Sequence, residues 1–307
     1  MNGRVDAHRR RLLAGLAASA AASLGAPPAA AVPLLTRRVP ASGEALPLVG
    51  LGSWITFNVG NDRQARRESA EVIAAFFAAG GRMIDSSPMY GSSQDVIGSA
   101  LAGLGMPPTL FSAEKVWIAP GARGPAQIAQ SQAAWRVARF DLLQVHNLLA
   151  WQEHLPALYA MKAAGRIRYV GITTSEGRRH AEIEAIMARE PIDFVQVTYN
   201  VLDREVEQRI LPLARERRIG VIANRPFREG ALLRQLARHP LPAWAAEIGC
   251  TTWAQAVLKF IVAHPDVTCA IPATTSVAHV RENLAAASAP LPDAALRRRI
   301  AADVGKL

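Results

Sequence analysis

Four polar residues, Asp85, Tyr90, Lys115 and His146, each lie at or just beyond the end of a short apolar segment that is typical of a β-strand. The segments read RMIDSSPMYG, TLFSAEKVW and FDLLQVHNLL, and helical patterns separate them. In a barrel of alternating strands and helices, the carboxyl ends of all strands open onto one face. We therefore expect a carboxylate, a phenol, an amine and an imidazole to lie close together there. Groups of these types can transfer protons to and from a substrate.

The surrounding sequence repeats a strand pattern and a helix pattern eight times. The strand patterns cover residues 49–54, 82–86, 109–116, 141–146, 167–173, 193–198, 220–223 and 268–271. The helix patterns cover residues 68–80, 93–103, 126–137, 153–164, 178–189, 205–217, 252–263 and 277–287. A hairpin punctuated by Pro and Gly precedes the first strand, and a long connection follows the seventh. We therefore predict an α/β fold, a (β/α)8 TIM barrel with an N-terminal β-hairpin.

A doubly wound parallel sheet is the alternative fold. It would need a glycine-rich phosphate turn after its first strand, and the sequence GLGSWI lacks the third glycine. The barrel is preferred for that reason.

Tyr90 is the candidate acid, but a free phenol has a pKa of about 10, too high for efficient proton exchange near neutral pH. Lowering that pKa by ~2–3 units takes ~3–4 kcal/mol. An ammonium about 4 Å away supplies ~4 kcal/mol at an effective dielectric constant near 20. Lys115, kept protonated by Asp85, is the expected source of this charge, so we expect a lowered pKa for Tyr90. We expect His146 to be a neutral imidazole that hydrogen-bonds a substrate oxygen.

The first 31 residues have the pattern of an export signal. The basic run HRRR precedes a weakly apolar, Ala-rich stretch, and small residues that suit cleavage near Ala31 follow. This stretch is shorter than the ~20 apolar residues that span a bilayer, and its arginine pair resembles a twin-arginine signal. We expect residues 1–31 to be a signal peptide read by the twin-arginine export machinery, and residues 32–307 to be a barrel domain exported to the periplasm. A disordered Ala-rich leader is the alternative.

Composition argues against several other classes of protein. The formal net charge is +10, and +7 remains without the four Arg and one Asp of residues 1–31. These charges are scattered among acidic residues, with no basic stripe interleaved with aromatics, so we expect no nucleic-acid partner. The His and Cys residues show no metal-ligand spacing, so we expect no metal site. We also expect no stable membrane span.

Six segments together resemble one enzyme family. IDSSPMYGSSQDVIG, SAEKVW, DLLQVHNL, IRYVGITTS, DFVQVTYNVLDRE and IPATTSVAHVRENLAA are similar to the aldo-keto reductases, over about residues 37–287. The resemblance implies a (β/α)8 barrel that binds NADP(H) or NAD(H) across its carboxyl-terminal face. It implies that Tyr90 is the proton donor, that Lys115 and Asp85 tune it, and that His146 orients the carbonyl group.

The resemblance also implies a set of cofactor contacts. Gln196 matches the side chain that binds the nicotinamide carboxamide, and Glu282 and Asn283 match the adenine contacts. The full set is Ser53, Trp54, Thr173, Thr174, Gln196, Pro226, Phe227, Thr274, Glu282 and Asn283.

Several of these positions depart from the family pattern. Thr173 and Thr174 replace the usual Ser-Asn pair, and Thr174 lacks the amide's combined donor and acceptor. Asn224 replaces the aromatic ring that stacks on nicotinamide, unless Phe227 substitutes for it. Ala273 and His279 stand where Lys and Arg usually hold the 2′-phosphate, with Thr274 and Arg281 as partial replacements. We therefore predict weaker discrimination between NADPH and NADH than the family usually shows.

These residues predict an NAD(P)H-dependent enzyme that reduces an aldehyde or ketone, or oxidises the corresponding alcohol. The alternative is a regulatory or structural module that keeps the fold and the cofactor but turns over slowly. Trp54, Trp117 and Trp151 either line the mouth, which favours an apolar carbonyl or alcohol substrate, or pack the barrel.

Overall fold

Eight parallel strands follow one another around the sheet in the order of the chain. The computed structural model describes residues 33–307, and the predicted signal peptide at 1–31 lies outside them. The strands are β3 (Leu51–Gly52), β4 (Met83–Asp85), β5 (Phe111–Val116), β6 (Phe140–His146), β7 (Ile167–Thr173), β8 (Phe194–Thr198), β9 (Gly220–Asn224) and β10 (Cys269–Ala270). The arrangement confirms the predicted barrel.

The first and last strands of the sheet meet and close it. Parallel bridges join Val49 to Ala270 and Gly52 to Ala273, and the amide of Gly52 donates to the carbonyl of Pro272 at 2.9 Å. A Cβ added at Gly52 would lie 2.7 Å from the carbonyl oxygen of Ile271. Closure therefore requires glycine at this position.

A predicted hairpin covers the amino-terminal end of the barrel. Strands β1 (Thr36–Arg38) and β2 (Ala45–Pro47) pair antiparallel. Val39 and Leu46 are fully buried in the same apolar cluster as Phe111 of the barrel interior. Apolar side chains of the hairpin and of the barrel interior therefore pack together at this end.

Helices surround the barrel. They are α1 (Arg63–Ala78), α2 (Ser93–Gly103), α3 (Gly124–Trp135), α4 (Trp151–Ala163), α5 (His180–Arg189), α6 (Ile210–Arg217), α7 (Ala231–Leu236), α8 (Trp244–Glu247), α9 (Trp253–Val262), α10 (Val277–Ala285) and α11 (Ala294–Val304). Short 3-10 turns occupy Gly121–Arg123 and Glu205–Glu207. No helix in this part of the chain is long and apolar enough to cross a membrane.

Three helices were not predicted. The long connection after β9 contains α7 and α8, and α11 follows the last predicted helix. Helix α11 begins where the Asp293 side chain accepts from the amide of Leu296 at 2.8 Å, and its Ile300 and Val304 are buried. Helix α1 begins five residues before its predicted start, because Asp62 caps it.

Strand alternation divides the side chains of β6 between two layers. Leu143 and Val145 pack in the large apolar cluster between strands and helices, whereas Leu142 lies in the barrel interior. The same period of two places Gln144 and His146 on the inward face. Polar residues on this face at the carboxyl end of the strand therefore point toward the predicted site.

Candidate active site

Lys115 and Asp85 form a buried ion pair inside the barrel. The Lys115 ammonium contacts Asp85 Oδ1 and donates to the carbonyl of Ser86 at 2.7 Å. The two side chains are 0 % and 2 % exposed. Burial lowers the pKa of Lys115, but the charge of Asp85 and its contact with the ammonium outweigh burial and leave that pKa above its ordinary value. Lys115 is therefore a fixed positive charge.

Two glutamines hold the other oxygen of Asp85. Gln144 Nε2 donates to Asp85 Oδ2 at 3.1 Å, and Gln196 Nε2 donates to it at 2.9 Å. Both glutamines are buried. Gln144 was not a predicted site residue, although its spacing of two from His146 in DLLQVH was a usable signal.

Tyr90 lies above this pair and lines the mouth of the barrel. Its ring centroid is 5.2 Å from the Lys115 ammonium, 4.9 Å from the Trp54 ring and 5.7 Å from the His146 ring. The expectation of a lowered pKa is wrong. Burial raises the pKa of Tyr90 above 10, and Asp85 and Glu114 raise it further, against the lowering effect of Lys115. Tyr90 is therefore protonated at neutral pH, which is the form that donates.

His146 ends β6 and is neutral, as expected. Burial, with Lys115 nearby, lowers its pKa to about 2. Its Nδ1 lies 2.7 Å from Ser87 Oγ. Ser87 lies within the segment IDSSPMYG but was not among the predicted site residues. Ser87 lies two residues after Asp85 and is fully buried.

Glu114 is a second carboxyl that the sequence reasoning missed. It precedes Lys115 on β5 and accepts hydrogen bonds from Gln94 Nε2 at 2.9 Å and Trp135 Nε1 at 2.6 Å. Burial raises its pKa to about 7, while Lys115 opposes the shift. A titratable group thus lies on the outer side of the strand that carries Lys115.

A cavity of about 970 Å³ opens at the carboxyl ends of the strands. Residues that follow β3, β4 and β6 form what we call the tyrosine side: Ser53, Trp54, Ile55, Thr56, Met89, Tyr90 and Asn147. Residues that follow β7 and β9 form the arginine side: Ser175, Glu176, Arg178, Arg225, Pro226, Phe227, Glu229 and Gly230. The cavity is at the upper end of the size range of ligand sites.

The cavity brings together most of the residues predicted to bind a cofactor. Those that line it are Ser53, Trp54, Thr173, Gln196, Pro226, Phe227, Thr274, Glu282 and Asn283. Thr174 does not line it. The side chain of Thr174 is buried, and its Oγ1 has no hydrogen-bond partner in the described part of the chain. Trp54 lines the cavity, whereas Trp117 and Trp151 do not.

Asn224, at the end of β9, belongs to a buried polar network. Its Oδ1 accepts from Thr198 Oγ1 at 2.8 Å, and its Nδ2 donates to the carbonyl of Thr174 at 2.9 Å. Its Nδ2 also makes a weaker contact of 3.4 Å with Gln196 Oε1. The amide thus links the cavity wall to the glutamine that holds Asp85.

Charged residues on the arginine side pair across two loops. Arg225 contacts Glu229 at 2.6 Å and Glu176, on the neighbouring loop, at 3.3 Å. Arg178 contacts Glu176 at 2.5 Å. Arg234 also lines the cavity. No cluster of His, Cys, Asp or Glu within residues 33–307 could hold a metal ion.

Comparison with known proteins places this site in a family. The chain is 28% identical over 264 residues to methylglyoxal reductase YeaE of Escherichia coli K12, covering 83% of this chain and 90% of that protein. It is 24% identical to the NADH-specific methylglyoxal reductase of the same organism, covering 80% of this chain and 91% of that protein.

The fold also matches solved structures. An aldo-keto reductase from Klebsiella pneumoniae in complex with NADPH superposes with a TM-score of 0.73 at 25% identity, covering 88% of this chain and 94% of that one. The sequence model of the aldo/keto reductase family matches residues 48–301. This protein therefore belongs to the aldo/keto reductase family.

Proposed function

We propose that this protein reduces the carbonyl group of an aldehyde or ketone, or oxidises the corresponding alcohol, with NADP(H) or NAD(H). One observation carries the proposal: the Tyr90 phenol and the His146 imidazole line the same cavity, and the buried Lys115 ammonium lies 5.2 Å from the centroid of the Tyr90 ring. The relatives that are named methylglyoxal reductases support it.

The residues of the cavity fit a nicotinamide dinucleotide. The cavity extends from Trp54 to Glu282 and Asn283, so it suits an elongated ligand. Arg225 and Arg234 line it and could contact the phosphates. Gln196 and Asn224 offer amides at the barrel centre, where the nicotinamide carboxamide would be held. When bound, the nicotinamide supplies the hydride that adds to the carbonyl carbon.

The chain supplies the proton and the charge stabilisation. Tyr90 donates its phenolic proton to the carbonyl oxygen as negative charge develops there, and the resulting phenolate lies beside the Lys115 ammonium. Asp85 holds that ammonium in place, and His146 donates a hydrogen bond to the same oxygen. In the oxidation direction the phenolate accepts the alcohol proton.

Replacement of the phenol tests this function. Tyr90→Phe should lower kcat for methylglyoxal and for a panel of aldehydes and ketones by roughly 10²–10⁴-fold, because it removes the general acid. The matched control is Tyr159→Phe, since Tyr159 lies on α4 and bonds Glu190. Carbonyl reduction that is unchanged in Tyr90→Phe would exclude this mechanism. An inactive wild type that still binds NADPH would favour the regulatory module.

We further propose, from the sequence pattern of residues 1–31, that a twin-arginine signal exports the folded protein to the periplasm. Export after folding allows the cofactor to be loaded in the cytoplasm. Replacement of Arg9, Arg10 and Arg11 by Lys should leave the protein in the cytoplasmic fraction. Periplasmic protein purified without any nicotinamide absorbance would contradict loading before export.

A further inference from the structure

We propose that Ser87 fixes the tautomer of His146, so that Nε2 carries the proton and presents it to the cavity. Ser87 is therefore a positioning residue for the reaction. The catalytic consequence rests on the proposed function, but the tautomer itself rests only on the hydrogen bonds around Ser87.

The hydroxyl of Ser87 has one acceptor within reach. Its oxygen accepts from the amide of Met89 at 3.2 Å and lies 2.7 Å from His146 Nδ1. Among the residues that the structure describes, no other acceptor approaches this oxygen. If Nδ1 carried the proton, the fully buried Ser87 hydroxyl hydrogen would have no partner. A buried donor left without a partner costs ~1–3 kcal/mol. The serine therefore donates, and Nδ1 accepts.

The imidazole has no other protonation state that satisfies these contacts. A doubly protonated ring would also require Nδ1 to donate, and it would place a second positive charge near Lys115. Burial and Lys115 lower the pKa of His146 to about 2, in agreement with a neutral ring. When Nδ1 of a neutral ring is the acceptor, Nε2 must hold the hydrogen.

The other ring nitrogen of His146, Nε2, is available to a substrate in the cavity. His146 lines the cavity next to Tyr90, and its Nε2 makes no hydrogen bond to any residue in 33–307. With the proton on Nε2, the ring donates to a carbonyl oxygen. With the other tautomer, the ring would direct a lone pair at that oxygen and repel it. Ser87 thus selects the useful tautomer before substrate arrives.

Nitrogen NMR of the folded protein tests the tautomer without reference to activity. The protein is labelled with ¹⁵N-histidine, and His146→Gln identifies the His146 signals by their absence. We expect His146 to show an unprotonated Nδ1 and a protonated Nε2 in the wild type at neutral pH. A protonated Nδ1 in the wild type would overturn the proposal, even if the enzyme reduces carbonyls.

Variants of Ser87 test the catalytic consequence. Ser87→Ala should give averaged tautomer signals and lower kcat by roughly tenfold with little change in KM, less than the 10²–10³-fold expected when an oxyanion donor is removed. Ser87→Thr keeps the hydroxyl and should restore both readouts. Ser69→Ala, which removes another buried serine hydroxyl that bonds the carbonyl of Ala65, is the matched control. An unchanged tautomer in folded Ser87→Ala would contradict the role of Ser87.

Discussion

The two sides of the cavity hold their charges in different ways. Near the tyrosine side, a single ion pair of Lys115 and Asp85 is buried on adjacent strands, with side chains at most 2 % exposed. On the arginine side, the charges lie on loops. Arg225 is 24 % exposed, and its partners Glu176 and Glu229 are 44 % and 46 % exposed. The buried pair has little freedom to change partners, whereas the loop charges are screened by solvent.

The buried charges therefore contribute to the stability of the fold as well as to the chemistry, whereas the loop charges contribute little to stability. Glutamines from β6 and β8 and a serine carbonyl complete the hydrogen bonds of the buried pair, so removing one member leaves the others unsatisfied. The loop pairs can exchange protein partners for water at low cost. We expect the same type of substitution to have very different effects on the two sides.

The largest expected effect follows from breaking the buried pair. Asp85→Asn leaves the Lys115 ammonium buried without its carboxylate, which should lower the free energy of unfolding by about 3–5 kcal/mol. Glu229→Gln, which breaks an exposed pair, should lower it by less than about 1 kcal/mol. Urea unfolding of both variants measures the contrast.

A double variant separates charge from packing in this experiment. Asp85→Asn combined with Lys115→Met removes both charges, so it should recover part of the lost stability. Equal losses in Asp85→Asn and Glu229→Gln would contradict the comparison between the two sides.

The buried site was largely predictable because strands constrain it. The period of two in DLLQVH and the parallel order of β4, β5 and β6 bring Asp85, Lys115 and His146 to one end of the barrel whatever the loops do. Adjacent strands pair in register, with Asp85 opposite Ala113. The family motifs covered the same segments.

The properties that escaped prediction depend on packing. The direction of the Tyr90 pKa shift results from competition between burial, Lys115 and two carboxylates, and Glu114 was not among the groups considered. The role of Ser87 depends on the distance to a histidine 59 residues away. Helices α7 and α8 were missed because they are short and lie in a connection rich in Pro and Arg.

The second expected effect concerns Glu114, the buried carboxyl beside Lys115. Its folded-state pKa is about 7, above the ordinary value of 4.5, so the folded protein binds this proton more tightly than the unfolded chain does. The resulting stabilisation is complete below about pH 4.5 and is lost as the pH rises through about 7, a change of about 3 kcal/mol. Glu114→Gln should remove this dependence from the unfolding free energy between pH 4.5 and 7.

The control for this prediction is Glu182→Gln. Glu182 pairs with Arg179 at a partly exposed position on α5, so Glu182→Gln removes a carboxylate from the surface and leaves the buried carboxyl of Glu114 in place. An identical pH profile for the wild type and Glu114→Gln would show that the buried carboxyl does not titrate in this range.

The smallest expected effect concerns His279, on α10, which lines the cavity outside both the tyrosine side and the arginine side. His279 is exposed, and its Nδ1 lies 3.4 Å from Thr274 Oγ1. Beside it, Ala273 lines the cavity without charge. His279→Arg supplies a permanent cation to a 2′-phosphate, so it should increase the preference for NADPH over NADH by about tenfold, or ~1.4 kcal/mol. It should leave the chemistry at Tyr90 unchanged, because the charge beside Tyr90 comes from the separate buried pair of Lys115 and Asp85.

Tryptophan fluorescence titration with each cofactor measures the ratio of affinities for NADPH and NADH. Ala278→Arg, one residue away on the same helix, is the positional control. A hundredfold preference for NADPH in the wild type would show that the described residues already provide the phosphate contact that we assign to the substitution.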